Sequence, residues 1–441
     1  MRSRSKYVCQ QCGYAQVGWA GKCPECGSWG SLVETLVSTK SSAGRTSSKS
    51  GTGKEASKPQ SLASVPSRRT TRISTKIPEL DRVLGGGLVS GQSVLIAGEP
   101  GIGKSTILLQ VAEKLGNVLY ISGEESVSQI KIRADRLKVK KKSIQVMDET
   151  NIDSIIESVK SMSKLPKALV IDSIQVMSTG DLRGMAGSVG QVRECAYRLV
   201  RLGKSKNLPI FLVGHVTKEG AVAGPAVLAH MVDTILWFEG DKSLTYRLLR
   251  AHKNRFGPTD EVGIFSMKNE GLISVTDPSK LFLSKGGKEV AGSVTASILQ
   301  GTRPILVEIQ ALVVPTKLAF AKRIAQGIDS KRFELLLAVL SRRCGLPLYE
   351  FDCFLNVAGG ISLKGDPSAD LAICLAVASA YFDKPLDKKL VAIGEVGLLA
   401  EVREVVGQEK RIKEARRLGF KQVVTNREVQ YLQQAIKAYL R

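Results

Sequence analysis

Residues 93–105 read Ser93-Val-Leu-Ile-Ala-Gly98-Glu99-Pro100-Gly101-Ile102-Gly103-Lys104-Ser105. A short apolar run with strand character ends on glycine. A G-x4-G-K-S loop follows, and a helical pattern over Lys104–Leu115 comes directly after it. Strand, glycine-rich loop and helix in that order is the context of a phosphate-binding P-loop. The glycines let backbone N–H groups turn in around phosphate oxygens, and the helix N-terminus adds favourable potential. Lys104 is expected to reach the β- and γ-phosphates of ATP, and Ser105 to ligate Mg²⁺.

Outward from this loop, strands alternate with helices. VLYISG (118–123), ALVIDS (168–173), PIFLVGH (209–215) and TILWF (234–238) read as buried strands, and a second helical pattern covers Gly190–Lys204. The alternation predicts an α/β domain with a mainly parallel sheet. Asp172 ends the apolar ALVID, the place of a Walker B aspartate that holds Mg²⁺ directly or through water. Hydrolysis also needs a group that orients or deprotonates water. Glu124, with Glu125 as second choice, ends a strand expected beside the P-loop strand, so its carboxylate points into the ligand crevice.

The N-terminal 35 residues hold Cys9-x2-Cys12 and, ten residues on, Cys23-x2-Cys26. Each pair sits on a tight turn followed by glycine, which is metal-ligand spacing. Four thiolates favour tetrahedral Zn²⁺, with iron and redox or disulfide use as lesser readings. Cys195, Cys344, Cys353 and Cys374 lie in apolar context and read as core. Residues 36–72, rich in Ser, Thr, Gly and Lys, read as a flexible basic linker. The ATPase domain is expected over 73–278. A second mixed region follows over 279–441, with helical patterns at Ser330–Cys344 and Gln408–Leu418.

The 441 residues carry 64 Lys and Arg against 41 Asp and Glu, a net charge of +23. Residues 1–72 hold 12 basic and 3 acidic side chains, 73–278 hold 27 and 22, and 279–441 hold 25 and 16. Both ends are basic and the centre is nearly balanced, so a polyanionic partner is expected. Aromatics are 5%, too few for a surface made mainly of stacking platforms. No apolar run of membrane-spanning length is present, and Met1–Tyr14 lacks the apolar core of a signal peptide. The expected compartment is the cytoplasm.

The cysteine module, GEPGIGKS, SGEES, VIDSIQ, GHVTKEG and Lys253-Asn-Arg255-Phe-Gly257 occur in that order. In this company the chain resembles the bacterial RadA (Sms) family of DNA-repair proteins, relatives of RecA, over nearly its whole length apart from the linker. The resemblance implies a RecA-like P-loop ATPase core with an N-terminal C4 zinc module and a C-terminal Lon protease-like α+β domain. It implies a homo-oligomer, by family a hexameric ring, with ATP at subunit interfaces. Lys253 and Arg255 would then act in trans on a neighbour's γ-phosphate; on sequence alone KNRFG also reads as a basic loop for a nucleic-acid backbone. His215 falls at a γ-phosphate sensor position. Asp181–Gly190 and Thr217–Ala226 resemble DNA-contacting loops, with Arg183 and Lys218 near phosphates.

In the Lon-like region, Gly365-Asp-Pro-Ser368 lines up with the nucleophile motif. Alignment from Gly394 puts Glu409 where the dyad lysine belongs, with Lys410 one residue off. Protease chemistry is therefore not expected, and Ser368 reads as a helix N-cap or core residue. Lys322, Arg323, Lys331, Arg332, Arg342 and Arg343 are candidates for DNA backbone contacts. Three functions compete. The favoured one is a DNA-dependent ATPase that promotes branch migration or helicase-like processing of recombination intermediates and stalled forks, with single-stranded and branched DNA and a RecA-type recombinase as partners. The others are an ATP-dependent Lon-type serine protease and an ATP-controlled DNA-binding scaffold.

Overall fold

The computed structural model describes residues 4–9, 11–37, 71–140, 143–215, 225–240, 246–283, 289–317, 320–363 and 365–440. Most of the expected linker, and Lys218 with most of its loop, lie outside them. Two compact units are present. One comprises residues 1–240, 247–259 and 267–273, the other 241–246, 260–266 and 274–441.

The first unit opens with β1 (Arg4–Cys9), β2 (Ala15–Gln16) and β3 (Leu32–Val37), an antiparallel sheet in the order β2-β1-β3. Then come α1 (Pro78–Leu84), β4 (Ser93–Gly98), α2 (Lys104–Leu115), β5 (Val118–Ser122), α3 (Val127–Arg136), β6 (Gln145–Asp148), α4 (Ile152–Ser161) and β7 (Ala168–Asp172). They are followed by α5 (Val189–Lys206), β8 (Ile210–His215), α6 (Pro225–Leu228), β9 (Thr234–Glu239), β10 (Tyr246–Asn254), β11 (Val262–Lys268) and β12 (Gly271–Ser274). The strand order is β12-β11-β10-β9-β4-β8-β7-β5-β6, with β6 through β9 parallel and β10 antiparallel to β9. Every residue of β4, β5 and β7 is buried, as strands covered by helices on both faces must be. Leu95, Ile171, Leu212 and the inner faces of α4 and α5 share one core cluster.

One expectation needs correcting. β5 is not beside the P-loop strand; β8 and β7 stand between them. Register nevertheless pairs Gly98 with His215 and Ser122 with Asp172, so all these strands end along one rim.

The second unit holds α7 (Ser279–Phe282), β13 (Ser293–Gln300), β14 (Arg303–Pro315), β15 (Arg323–Gln326), α8 (Ser330–Cys344), β16 (Phe351–Val357), α9 (Asp370–Phe382) and β17 (Leu390–Ala392). It ends with β18 (Glu395–Val396), β19 (Val402–Arg403), α10 (Gln408–Arg417), β20 (Gln422–Val424) and α11 (Leu432–Leu440). The mixed sheet runs β15-β16-β14-β13-β17-β20. The central helix α9 packs on β13 and β14, with α8 and α11 against it. Ten of its 13 residues are buried, so it has no polar face.

Candidate active site and metal centre

The P-loop runs from the buried end of β4 to the start of α2. Gly103 caps α2 with no side-chain bond, leaving the first helical N–H groups free to face a ligand. Its φ of +120° and the 2.9 Å that an added Cβ would leave to Met267 Cε make glycine the residue that fits. Glu99, Pro100 and Gly101 are exposed, Ile102 anchors the loop in the core, and Ser105 is half-buried. Lys104 is buried, and its Nζ donates to Gly98 O at 2.8 Å and Glu99 O at 3.0 Å. Burial pushes its ammonium down to about 8, opposed by the charges of Asp172 and Glu124. A buried cation with two carboxylates nearby fits a polyanion with its metal.

Asp172 accepts a hydrogen bond from the buried Tyr120 hydroxyl, which fixes its Oδ2. Ser173 Oγ donates to Glu124 Oε1, and His215 Nε2 lies 3.5 Å from that same oxygen. His215 is the largest influence on Glu124; Ser173 and Lys104 add to it against the contrary push of burial, and the carboxyl is held at about 2. So acidic a group is a weak base, and it suits orienting water better than removing its proton. Glu125 is tied up in an ion pair with Arg133, which separates it from Glu124. Gln175 Nε2 donates to His215 O, while Gln175 Oε1 is buried without a hydrogen-bond partner among the described residues. An orphaned polar atom three residues from Asp172 fits a site that takes water and phosphate. Of these two, His215 was expected at a sensor position from the resemblance, whereas Gln175 was not among the site residues read from the sequence.

Lys253 and Arg255 are not brought to this rim of their own chain. Asn254 pairs with Thr234, which also pairs with Val94, so the KNRFG peptide stands at the opposite end of β4 and β9. Lys253 Nζ donates to Ala229 O and Val232 O, at 2.5 and 2.8 Å. Burial first, then the Arg255 charge, lowers its pKa. Arg255 pairs with the buried Asp233 at 3.3 Å. Asn254 donates to Val83 O and accepts from the Phe256 N–H, so it shapes the turn.

At the N-terminus the four Sγ atoms lie within 4.8 Å of one another, with Cys9–Cys26 and Cys12–Cys23 each at 3.6 Å. Four thiolates around Zn²⁺ at about 2.3 Å stand roughly 3.8 Å apart, so the set fits zinc. Gly13 and Gly27 take φ of +77° and +71°, and each donates its N–H at 2.9 Å to the carbonyl of the first cysteine of its pair. Among the described residues the module's buried apolar cluster is Cys9, Cys23 and Leu32, with Tyr7, Cys12, Tyr14 and Ala20 packed against it, so two ligands form most of its fully buried core. Without metal such a module has too little apolar burial to persist. Metal analysis of the full chain is expected to return one zinc, and chelation to make residues 4–37 protease-sensitive; zinc-free purified protein would contradict the assignment.

In the second unit Ser368 is fully buried. The cap of its short helical turn is Asp366, so Ser368 is core and not an N-cap. Its Oγ donates to Ser297 O at 3.1 Å and receives Arg411 Nη1 at 2.6 Å. The residue facing the serine is therefore neither Glu409 nor Lys410. Glu409 is exposed and paired with Arg427, and Lys410 is exposed. Arg411 also bonds Val406 O, Ser297 O and Asp366. A guanidinium does not give up its proton near neutral pH, so it cannot activate a serine.

Residues 7–34 match the rubredoxin metal binding domain family, 58–221 the AAA domain family, and 347–440 the Lon protease (S16) C-terminal proteolytic domain family. The DNA repair protein RadA of Bacillus subtilis is 48% identical over 427 residues, covering 96% of this chain and 92% of that protein. RadA of Listeria monocytogenes is 49% identical over 423 residues, at 95% and 91%. RadA of Pseudomonas aeruginosa is 46% identical over 426 residues, at 96% and 93%. The chain belongs to the RadA family of DNA repair proteins.

Its three parts are thus a zinc module, an AAA-type P-loop domain and a Lon-like domain. Not every basic residue picked out beforehand is free on this RadA-family surface. Arg332 pairs with the buried Asp370, and Arg323 donates to the carbonyls of Phe351 and Leu348. Lys322, Lys331, Arg342, Arg343 and Arg183 are exposed. Among the described residues no helix is long and apolar enough to cross a membrane.

Proposed function

We propose that the chain is a cytoplasmic DNA-dependent ATPase that promotes branch migration or helicase-like processing of recombination intermediates and stalled forks. It acts as a homo-oligomer, a hexameric ring by family, on single-stranded and branched DNA beside a RecA-type recombinase. The carrying observation is the placing of Lys104, Asp172, Glu124 and His215 along one rim of the sheet, with Lys253 and Arg255 at the other. In this reading the loop Gly98–Ser105 cradles the phosphates of ATP. Ser105 and Asp172 hold Mg²⁺, which supplies neutralisation of the phosphate charge. Glu124 orients the attacking water, steadied by Ser173 and His215. Lys253 and Arg255 serve a neighbouring copy. The Lon-like domain supplies basic surface for DNA and assembly, and the Arg411–Ser368 contact argues against proteolysis there.

ATP turnover measured with and without single-stranded DNA tests this. Stimulation by DNA is expected. Lys253→Ala should keep ATP binding and lose DNA-coupled turnover by about 10³-fold, the scale of a trans-acting cation. Unchanged coupled turnover in that variant would remove the trans role.

A further inference from the structure

The chain has three tryptophans, and two of them sit in the zinc module. Trp19 and Trp29 are 66% and 78% exposed. Large aromatic side chains left this open usually await a partner. They flank one point: Trp19 Cη2 and Trp29 Cζ3 each lie 3.7 Å from where a side chain on Gly21 would begin. Gly21 thus leaves a floor without side chain between two indoles. The floor is rigid, because Gly30 N–H donates to Gly21 O at 2.8 Å, Lys22 bridges Trp29, and the next residue is the metal ligand Cys23. Lys22 Nζ stands 5.8 Å from the centre of the Trp29 ring.

We propose that this pair is a stacking platform for unpaired nucleobases. Charge decides the occupant: Lys22 stands beside the Trp29 ring, residues 1–35 carry 4 basic side chains against 2 acidic, and residues 36–72 that follow in the chain carry 8 against 1, which suits a phosphate backbone. Bases stack on indoles whatever their sequence, and a cation beside the rings meets the adjoining phosphate. The platform holds strand that the motor domain has opened, so it rests on the DNA reading above.

The test uses the full, zinc-loaded chain carrying Trp237→Phe, so that only Trp19 and Trp29 emit. Titration with oligothymidylate should quench the emission to saturation. Trp19→Ala or Trp29→Ala should each weaken oligothymidylate binding about 10-fold, and phenylalanine at either place should restore most of it. Gly21→Leu should abolish the quenching by filling the slot; Gly21 is not in the left-handed region, so the backbone accepts a side chain. Unchanged zinc content certifies that each variant is folded. Unchanged emission at saturating DNA, or unchanged affinity in the double alanine variant, overturns the platform and assigns the indoles to a protein partner. If turnover is DNA-stimulated in those cases, only the platform falls. If oligothymidylate neither binds nor stimulates turnover, the DNA reading falls with it.

Discussion

Replacing Lys104 with methionine is expected to lower ATP turnover by at least about 10²–10³-fold, the cost of losing one aligned donor to developing charge. The same substitution is not expected to lower the thermal midpoint at pH 7. In the folded protein burial holds the Lys104 ammonium at about 8, against 10.5 for a free lysine. Below pH 8 the residue is charged in both states, and the folded state bears the desolvation. Between pH 8 and 10.5 the unfolded chain binds a proton that the folded chain has released, so the wild type gains stability as pH rises. The methionine variant has no such gain. Its midpoint should match or exceed that of the wild type at pH 7, and the difference should shrink by pH 10. Turnover assays with thermal unfolding at both pH values check this. A clear fall in the midpoint at pH 7 would make Lys104 a structural residue and weaken its phosphate role.

The second large effect is expected at Arg411. This side chain is 2% exposed and binds Asp366 Oδ2 at 3.1 Å, besides Ser368, Ser297 O and Val406 O. Arg411→Met removes one partner of a buried ion pair, which costs about 3–5 kcal/mol. Asp366→Asn in the same chain should recover part of that by removing the stranded charge. The pH response should flatten. In the wild type, burial pushes the Asp366 carboxyl up, but the Arg411 charge and the Ser368 and Leu299 contacts outweigh it and hold the group below its ordinary 3.8. The stability from this pair is therefore present above about pH 4 and is lost as pH falls through the lowered value. In Arg411→Met the largest influence lowering Asp366 is gone while burial and the Ser368 and Leu299 contacts stay, so the loss of stability on acidification should be smaller than in the wild type. Urea unfolding of the full chain, following the transition of the second unit, measures both. A loss under 1 kcal/mol would show that the unit does not depend on this strap.

How far the sequence could be read follows from where its information lies. The P-loop motif carries its own boundaries, and both β4 and α2 stand where the glycines and lysine placed them. The zinc ligands are equally local, since spacing alone brings four sulfurs together. Strand order is a long-range property, and the reading put the strand of Glu124 one place beside β4 when two strands intervene. Helix α9 escaped notice because a helix buried on nearly every side shows no 3.6-residue alternation. Arg411 escaped because alignment by spacing pointed two residues upstream. The signal was there: Gln408, Arg411, Ile412 and Ala415 form the buried stripe of α10, and an arginine in such a stripe needs a buried acceptor. Glu124 and Glu125 differ in their partners, Ser173 and His215 for the one and Arg133 for the other, and these arrive from other elements of the chain.

The phosphate loop and the KNRFG cations stand at opposite ends of the same strands. In a single copy these two groups never meet. On the trans role proposed above, turnover should rise more steeply than in proportion to protein concentration, and an isolated copy should be silent however much ATP surrounds it.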